Sequence, residues 1–312
     1  MVKMDKEMRE RLEKLIVYID GEYCSGIDAK LSIFDGGLYG LSLYDAISMW
    51  DGFIIKLDAH VRRIYEGLRA YDFRIPLSEE EYKEVLFETV RRSKLKRGVI
   101  NVRSTYGTSN PWRLVNGEIG TPDRESTLLV CCVEYYWIGG SEDGQKAGLK
   151  ARIPKIKDYP IQCIDNRIKN HNRLNYYLAG LELRGTDATI ALMTDMDGYL
   201  GQATGGNLWV AKGGKLLTPG GNILYGITRE AVFDMAKVEN IEAIEARFTP
   251  FAAYSADEVF LSSSGGGIIP IVEVDKIRIG DGQPGPITKH LMDAYYKMHV
   301  DPKYATKVPG LE

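Results

Sequence analysis

Two Asp-Gly pairs constrain this chain more than any other feature. Asp20-Gly21 lies in "IDGEY" and Asp51-Gly52 in "WDGFI", each between apolar, β-branched runs. A two-residue Asp-Gly loop needs positive φ at both positions, and between such runs it is the strongest short-range hairpin signal. "LIVYIDGEYC", "AKLSIFDGGLYG" and "YDAISMWDGFIIKL" are therefore expected as strands joined by turns. Residues 58–94 change to a helical period and predict two helices, with Pro76 in the break. "GVINVRSTYG" and "STLLVCCVEYYW" return to strand, and strands and helices then follow in mixed order to a last helix from Pro286. With no internal repeat, this order predicts an α+β (mixed α/β) fold. The 312 residues, 44% hydrophobic, are enough for two cores. We expect an extra amphipathic helix over 1–15, with Met8, Leu12 and Leu15 on one side. A small domain over 16–137, a Gly-rich charged linker over 138–148 and a large domain over 149–312 follow.

Charge removes several function classes. The net charge is −3 and the basic residues are scattered, so neither nucleic acid nor an anionic membrane is an expected partner. No apolar run approaches the length of a membrane span, and the charged N-terminus lacks the apolar segment of a signal peptide. A cytoplasmic protein is expected. Cys24, Cys131, Cys132 and Cys163 form no CxxC pair and read as reduced, buried thiols. His171, His290 and His299 show no metal-ligand spacing, so no metal is expected.

One lysine and three glycine- or arginine-bearing segments carry the chemistry. In "RIKNHNRLNYYLAGLEL", Leu174, Tyr177, Leu178 and Leu181 recur at helical spacing and predict a buried apolar face. Lys169 stands just before that helix, beside Ile168, with no carboxylate within three residues. Alone it reads as a solvated lysine. "GGNILYGITRE" brings Gly226, Ile227 and Thr228 to a helix start, where Thr228 could cap the helix and free N–H groups suit an anion. "SSSGGGI" ends a strand in hydroxyls and glycines that let backbone N–H groups approach a phosphate. "HVRRIYEGL" offers Arg62 and Arg63 on a helix. None matches a dinucleotide or P-loop spacing. A reactive amine with several anion cradles is what pyridoxal 5'-phosphate requires: a Schiff-base lysine, a phosphate site and a group facing its ring nitrogen.

The order of segments resembles the fold-type IV pyridoxal-phosphate enzymes, the class IV aminotransferase family that includes branched-chain and D-amino acid aminotransferases. The resemblance runs from about Tyr18 to Tyr304, through "YIDGEY", "SIFDGGLYGLSLYDAISMWDGFIIKLDAHVRRI", the lysine segment, "MDGYLGQATGGNLWVAKGGKLLTP", "LYGITREAV" and "ADEVFLSSSGGGIIPIVEVD". "YDAISMWDGFIIKL" and the C-terminal "GPITKHLMDAYYKMHVDPKYA" look most like the (R)-selective amine transaminases. The resemblance implies a small N-terminal and a larger C-terminal domain, with the cofactor between them and a homodimer sharing its active sites. It implies an amine and a keto acid as substrates. Lys169 corresponds to the Schiff-base lysine that also shuttles the proton. Arg63, Gly226, Ile227 and Thr228 correspond to the phosphate site. Ser263 and Ser264 correspond to a second phosphate loop, where the family usually has threonine and alanine. Leu224 corresponds to the apolar residue on the cofactor ring. Tyr39, Tyr44 and Gly265 correspond to the substrate pocket. His60, one helical turn before Arg63, reads as a structural residue.

Two positions depart from the family pattern. Gln202 stands where the family has a glutamate that keeps the ring nitrogen protonated; an amide supplies only a hydrogen bond. That leaves open a lyase resembling the aminodeoxychorismate lyases, a racemase or a decarboxylase beside a transaminase. Tyr106 stands where members acting on D-amino acids have an arginine for the substrate carboxylate. Arg103 or Arg113 could replace it, Arg113 in a loop with Trp112; Tyr106 with Trp112 suits an apolar or aromatic amine.

Overall fold

A computed structural model describes residues 5–108 and 126–311. Contacts divide the chain into two units. The first comprises Met1–Tyr135, Lys169–Asn172 and His299–Glu312, the second Tyr136–Ile168 and Arg173–Met298. The division is thus not a single cut: Lys169 and its three successors pack with the first unit, although their neighbours on both sides belong to the second.

The first unit is built on β1 (Ile16–Ile19), β2 (Glu22–Ser25), β3 (Ser42–Trp50), β4 (Phe53–Ile55), β5 (Arg97–Thr105), β6 (Leu128–Glu134) and β16 (Ala305–Lys307). They form one seven-stranded sheet in the order β16-β4-β3-β5-β6-β1-β2. Both Asp-Gly pairs are the expected hairpin loops. Ile19 pairs with Glu22 around Asp20 (φ 47°) and Gly21 (φ 100°), and Trp50 with Phe53 around Asp51 (φ 49°) and Gly52 (φ 76°). Helices α1 (Lys6–Lys14), α2 (Leu57–Ala70) and α3 (Glu79–Ser93) accompany the sheet. A capping box at Ser78 and Glu81 starts α3, both reciprocal hydrogen bonds being present. Leu86 and Val90 of α3 and Val99, Val102 and Val130 of the sheet are wholly buried. Burial of a side chain of that size contributes roughly 1.5–3 kcal/mol.

The second unit holds β7 (Leu149–Arg152), β8 (Ile190–Thr194), β9 (Leu200–Ala203), β10 (Gly206–Lys212), β11 (Lys215–Pro219), β12 (Ala243–Ala246), β13 (Glu258–Ser263), β14 (Gly267–Val274) and β15 (Ile277–Arg278). Strands β10, β13, β14, β7, β8 and β9 pair in that order, and β9 pairs back to β10, so this part of the sheet closes on itself. Leu192, Leu208, Val210, Leu261 and Ile269 lie in its core. The accompanying helices are α4 (Glu142–Lys146), α5 (Leu174–Glu182), α6 (Ile227–Val238), α7 (Pro250–Tyr254) and α8 (Pro286–Met298).

Four expectations need correction. The run 29–40, expected as a strand, forms only an isolated bridge at Asp35 and a 3₁₀ turn over Gly36–Tyr39. The apolar face expected to be buried on α5 is exposed: Leu174 and Tyr177 are each 62% accessible, while Asn175 and Ala179 are buried. The cause is polar, because Asn175 and Tyr176 both donate to the buried Asp158 carboxylate and turn that side inward. The segment 138–148 is not a plain linker. It contains α4, capped by Ser141, with Gln145 fully buried. Of the cysteines, all free, Cys131 and Cys132 are buried, with burial pushing the Cys132 thiol up to about 12, but Cys163 is exposed. Among the described residues no helix is long and apolar enough to cross a membrane.

Candidate active site

In the first unit, residues 169–172 run beside the start of β3. The Tyr44 N–H donates to the Lys169 carbonyl at 3.0 Å and the His171 N–H to the Ser42 carbonyl at 3.1 Å, with Leu43 and Asn170 bridged between them. Lys169 therefore has a backbone held as in a sheet. The chain turn before β3 is equally constrained. Gly40 has φ 78°, the Asn172 amide donates to its carbonyl at 3.1 Å, and a Cβ there would meet Asn172 Oδ1 at 2.5 Å. Tyr44 orients what surrounds the amine. Its ring stacks on the His171 imidazole with centroids 4.4 Å apart, and Lys169 Nζ lies 4.4 Å from the same ring centroid.

Beside the lysine sits a buried charge cluster. Asp45 is 1% exposed; its Oδ1 accepts from Arg63 Nη2 at 2.5 Å and its Oδ2 meets His60 Nδ1 at 3.1 Å. Burial alone would raise the Asp45 carboxyl. Arg63, then His60, with Lys169 adding, outweigh that and hold it well below the usual carboxylate range. Burial pushes the His60 imidazole below its ordinary value against the pull of Asp45, so His60 is neutral and its Nδ1–H faces the carboxylate. Arg63 Nε is buried and has no acceptor among the described residues. Since buried donors almost always have acceptors, an orphaned guanidinium N–H in a pocket it shares with Lys169, Tyr44 and Asp45 suits an anionic oxygen.

In the second unit, α6 begins at Gly226, which carries no side-chain cap. Thr228 is therefore not the cap; it lies inside the first turn, and its hydroxyl meets Tyr295 Oη at 3.2 Å and Ser264 Oγ at 3.4 Å. The N–H groups of that turn precede the first intrahelical bonds and offer donors to an anion. A Cβ at Gly226 would meet Asn207 Oδ1 at 2.2 Å, while Asn207 Nδ2 holds the Leu224 carbonyl at 2.7 Å. Arg229 anchors the helix through the Pro219 carbonyl at 3.1 Å and Glu245 at 2.7 Å. The loop 263–266 is braced by Gln145, whose Nε2 donates to the Gly266 carbonyl at 2.6 Å. Ser263 and Ser264 are half-buried there, and a Cβ at Gly265 would meet Tyr136 Oη at 2.6 Å. Gln202 is 5% exposed; its Oε1 accepts from the Leu224 N–H at 3.1 Å and its Nε2 donates to Asp158 at 3.3 Å.

The expected residues thus gather in two groups, each within one unit. Lys169, Arg63 and Tyr44 share one pocket. Gln202, Leu224, Gly226, Ile227, Thr228 and Ser264 form a connected set with Asn207 and Tyr295. Tyr39 is not a strand residue: it ends a 3₁₀ turn and is 55% exposed. Tyr106 is 4% exposed and meets Phe73 edge-on, centroids 5.8 Å apart, while Arg103 is exposed. Trp112 and Arg113 lie outside the described residues. Sequence reading missed Asp45, Asn172, Asn207, Gln145 and Asp158. Asp45 alone left a signal, an acid in phase with the apolar Leu43 and Ile47 on one strand.

These groups fit pyridoxal 5'-phosphate. In the first unit the orphaned Arg63 Nε suits an anionic oxygen and Lys169 carries an amine; in the second the uncapped first turn of α6 suits a phosphate. Comparison with known proteins agrees. Residues 42–274 match the model of the amino-transferase class IV family. The branched-chain-amino-acid aminotransferase of Pseudomonas aeruginosa is 28% identical over 293 residues, covering 91% of this chain and 92% of that protein. The crystal structure of the Escherichia coli branched-chain amino acid aminotransferase superposes with a TM-score of 0.88 at 25% identity, over 94% of this chain and 99% of that one. The branched-chain amino acid aminotransferase of T.th., solved with pyridoxamine 5'-phosphate, gives a TM-score of 0.85 at 25% identity, over 94% and 98% of the two chains.

Proposed function

The chain belongs to the class IV amino-transferase family and is a pyridoxal-phosphate-dependent aminotransferase, and we propose that it takes the amino group of branched-chain and similar apolar amino acids to a 2-keto acid, with Lys169 as the catalytic amine. One observation carries the assignment of Lys169: its amine sits over the Tyr44 ring and in the field of the Asp45–Arg63 pair. When bound, the cofactor supplies an electron sink for the charge left when the substrate carbon loses its proton.

The chain's own residues do the rest. Lys169 Nζ would take the proton from the substrate carbon and later give it up. The sheet-like pairing of its backbone and the Tyr44 ring keep the amine in one place for both transfers. Asp45 offsets the positive charges of Arg63 and Lys169. Each unit offers phosphate donors of its own: Arg63 Nε in the first, and in the second the first-turn N–H groups of α6 with Thr228 and Ser264. Leu224 would pack on the ring and Gln202 would serve its nitrogen. Tyr44 in the first unit and Gly265 in the second would each serve the substrate.

The substrate class follows from the names of the relatives and from Tyr106, which offers a buried aromatic ring and no cation for a D-amino acid's carboxylate. With 2-oxoglutarate as acceptor, L-leucine and L-valine should be turned over faster than D-alanine or (R)-1-phenylethylamine. Preference for either of the latter overturns the substrate reading. Lys169→Ala should cost at least roughly 10³-fold in kcat. We also assign the protein to the cytoplasm and to a homodimer; exposed Leu174 and Tyr177 in the second unit and Ile33 and Leu38 in the first supply apolar surface for the dimer.

A further inference from the structure

Among the described residues, Asp158 is a buried carboxylate without a cation. It is 6% exposed, and its partners are all neutral: Asn175 Nδ2 at 2.9 Å and the Tyr159 N–H at 2.9 Å on Oδ1, Tyr176 Oη at 3.3 Å and Gln202 Nε2 at 3.3 Å on Oδ2. No ion pair involves it among the described residues, and the neighbouring Lys157 amine donates instead to Thr194 Oγ1 at 2.7 Å. A buried charge held only by neutral donors is costly unless something positive comes to it.

The same contacts fix the Gln202 amide in one orientation. A carboxylate can only accept, so Nε2 faces Asp158; the Leu224 N–H can only donate, so Oε1 faces it at 3.1 Å. Flipping the amide would set oxygen against carboxylate and N–H against N–H. An amide whose N–H donates to a charge also gains acceptor strength at its oxygen, because hydrogen bonds in series polarise one another.

We propose that Asp158 is a positioning residue that locks Gln202 and acts through it, so that the pair presents to the cofactor's ring nitrogen the negative character that one carboxylate would. The inference rests on the cofactor reading above. Gln202 itself lacks the charge of a glutamate; the charge is present one side chain further back, on Asp158.

The test uses the full-length protein loaded with pyridoxal 5'-phosphate. The 15N resonance of the cofactor's ring nitrogen is titrated with pH in wild type, Asp158→Asn, Gln202→Glu and the double variant, and each protein is melted with and without cofactor. Removing the Asp158 charge should make the ring nitrogen lose its proton more readily, lowering the midpoint of its resonance by about one pH unit. Gln202→Glu alone puts two carboxylates in contact and should melt below wild type. The double variant keeps a single charge and should recover both the melting temperature and the midpoint; if Asp158→Asn does not fold, the double variant still reads the effect. An unchanged midpoint in Asp158→Asn, or a double variant no better than Gln202→Glu, overturns the proposal. A wild type that forms no visible band overturns the cofactor reading instead, and the melts without cofactor still report whether Gln202 and Asp158 are coupled.

Discussion

At the scale of single residues, the Asp45 cluster sets how the first unit responds to pH. The folded His60 lies below its ordinary value, near 6.5 when unfolded, so the unfolded chain takes up the proton first as pH falls. Its contribution is therefore intact above about pH 7 and is lost below about pH 6.5. Asp45, held low, loses its contribution only as pH falls below about 4. Melting temperatures between pH 7.5 and 5.0 should thus fall more steeply in wild type than in His60→Gln; equal slopes would contradict the neutral, buried imidazole. Asp45→Asn leaves the Arg63 guanidinium, 12% exposed, without its counter-charge and should cost about 3–5 kcal/mol by denaturant unfolding. An unchanged stability would show that Arg63 finds another partner.

At the scale of elements, the anion cradle is shaped by close approach. Gly226→Ala drives a methyl into Asn207 Oδ1, and the loop that leads into α6 must shift. Pyridoxal-phosphate affinity should drop by roughly tenfold or more, read by equilibrium dialysis, while Gly221→Ala, at φ 87° with open space around it, should lower stability and leave the affinity alone. Equal losses of affinity would sink the cradle. Local chemistry made much of this legible. The Asp-Gly hairpins, the break at Pro76 and the strand ending in "SSSGGG" are dictated within a few residues. What stayed hidden depends on partners far along the chain. Gln145 braces a loop 121 residues away, and Gln202 meets Asp158 across 44. Helix α5 misled for a related reason. Periodicity finds an apolar stripe but cannot tell a core from a surface, and here Asp158 claims the opposite face.

At the scale of the whole molecule, Lys169 is sequence-local to the second unit yet packs in the first. No pattern of spacing announces such a crossing, and only the resemblance to a family placed the residue's chemistry. The exposed Leu174 and Tyr177 make the assembly testable: sedimentation should give twice the 35.0 kDa chain mass, and Leu174→Lys with Tyr177→Glu should return the monomer. A wild-type monomer would contradict the dimer. The most direct test of the central claim is a half-reaction. The cofactor-loaded protein is mixed with L-leucine and no acceptor, and the released product is counted. We predict one equivalent of 2-keto acid per chain from wild type and none from Lys169→Ala. Keto acid from Lys169→Ala, or ammonia or carbon dioxide from wild type in its place, would contradict it.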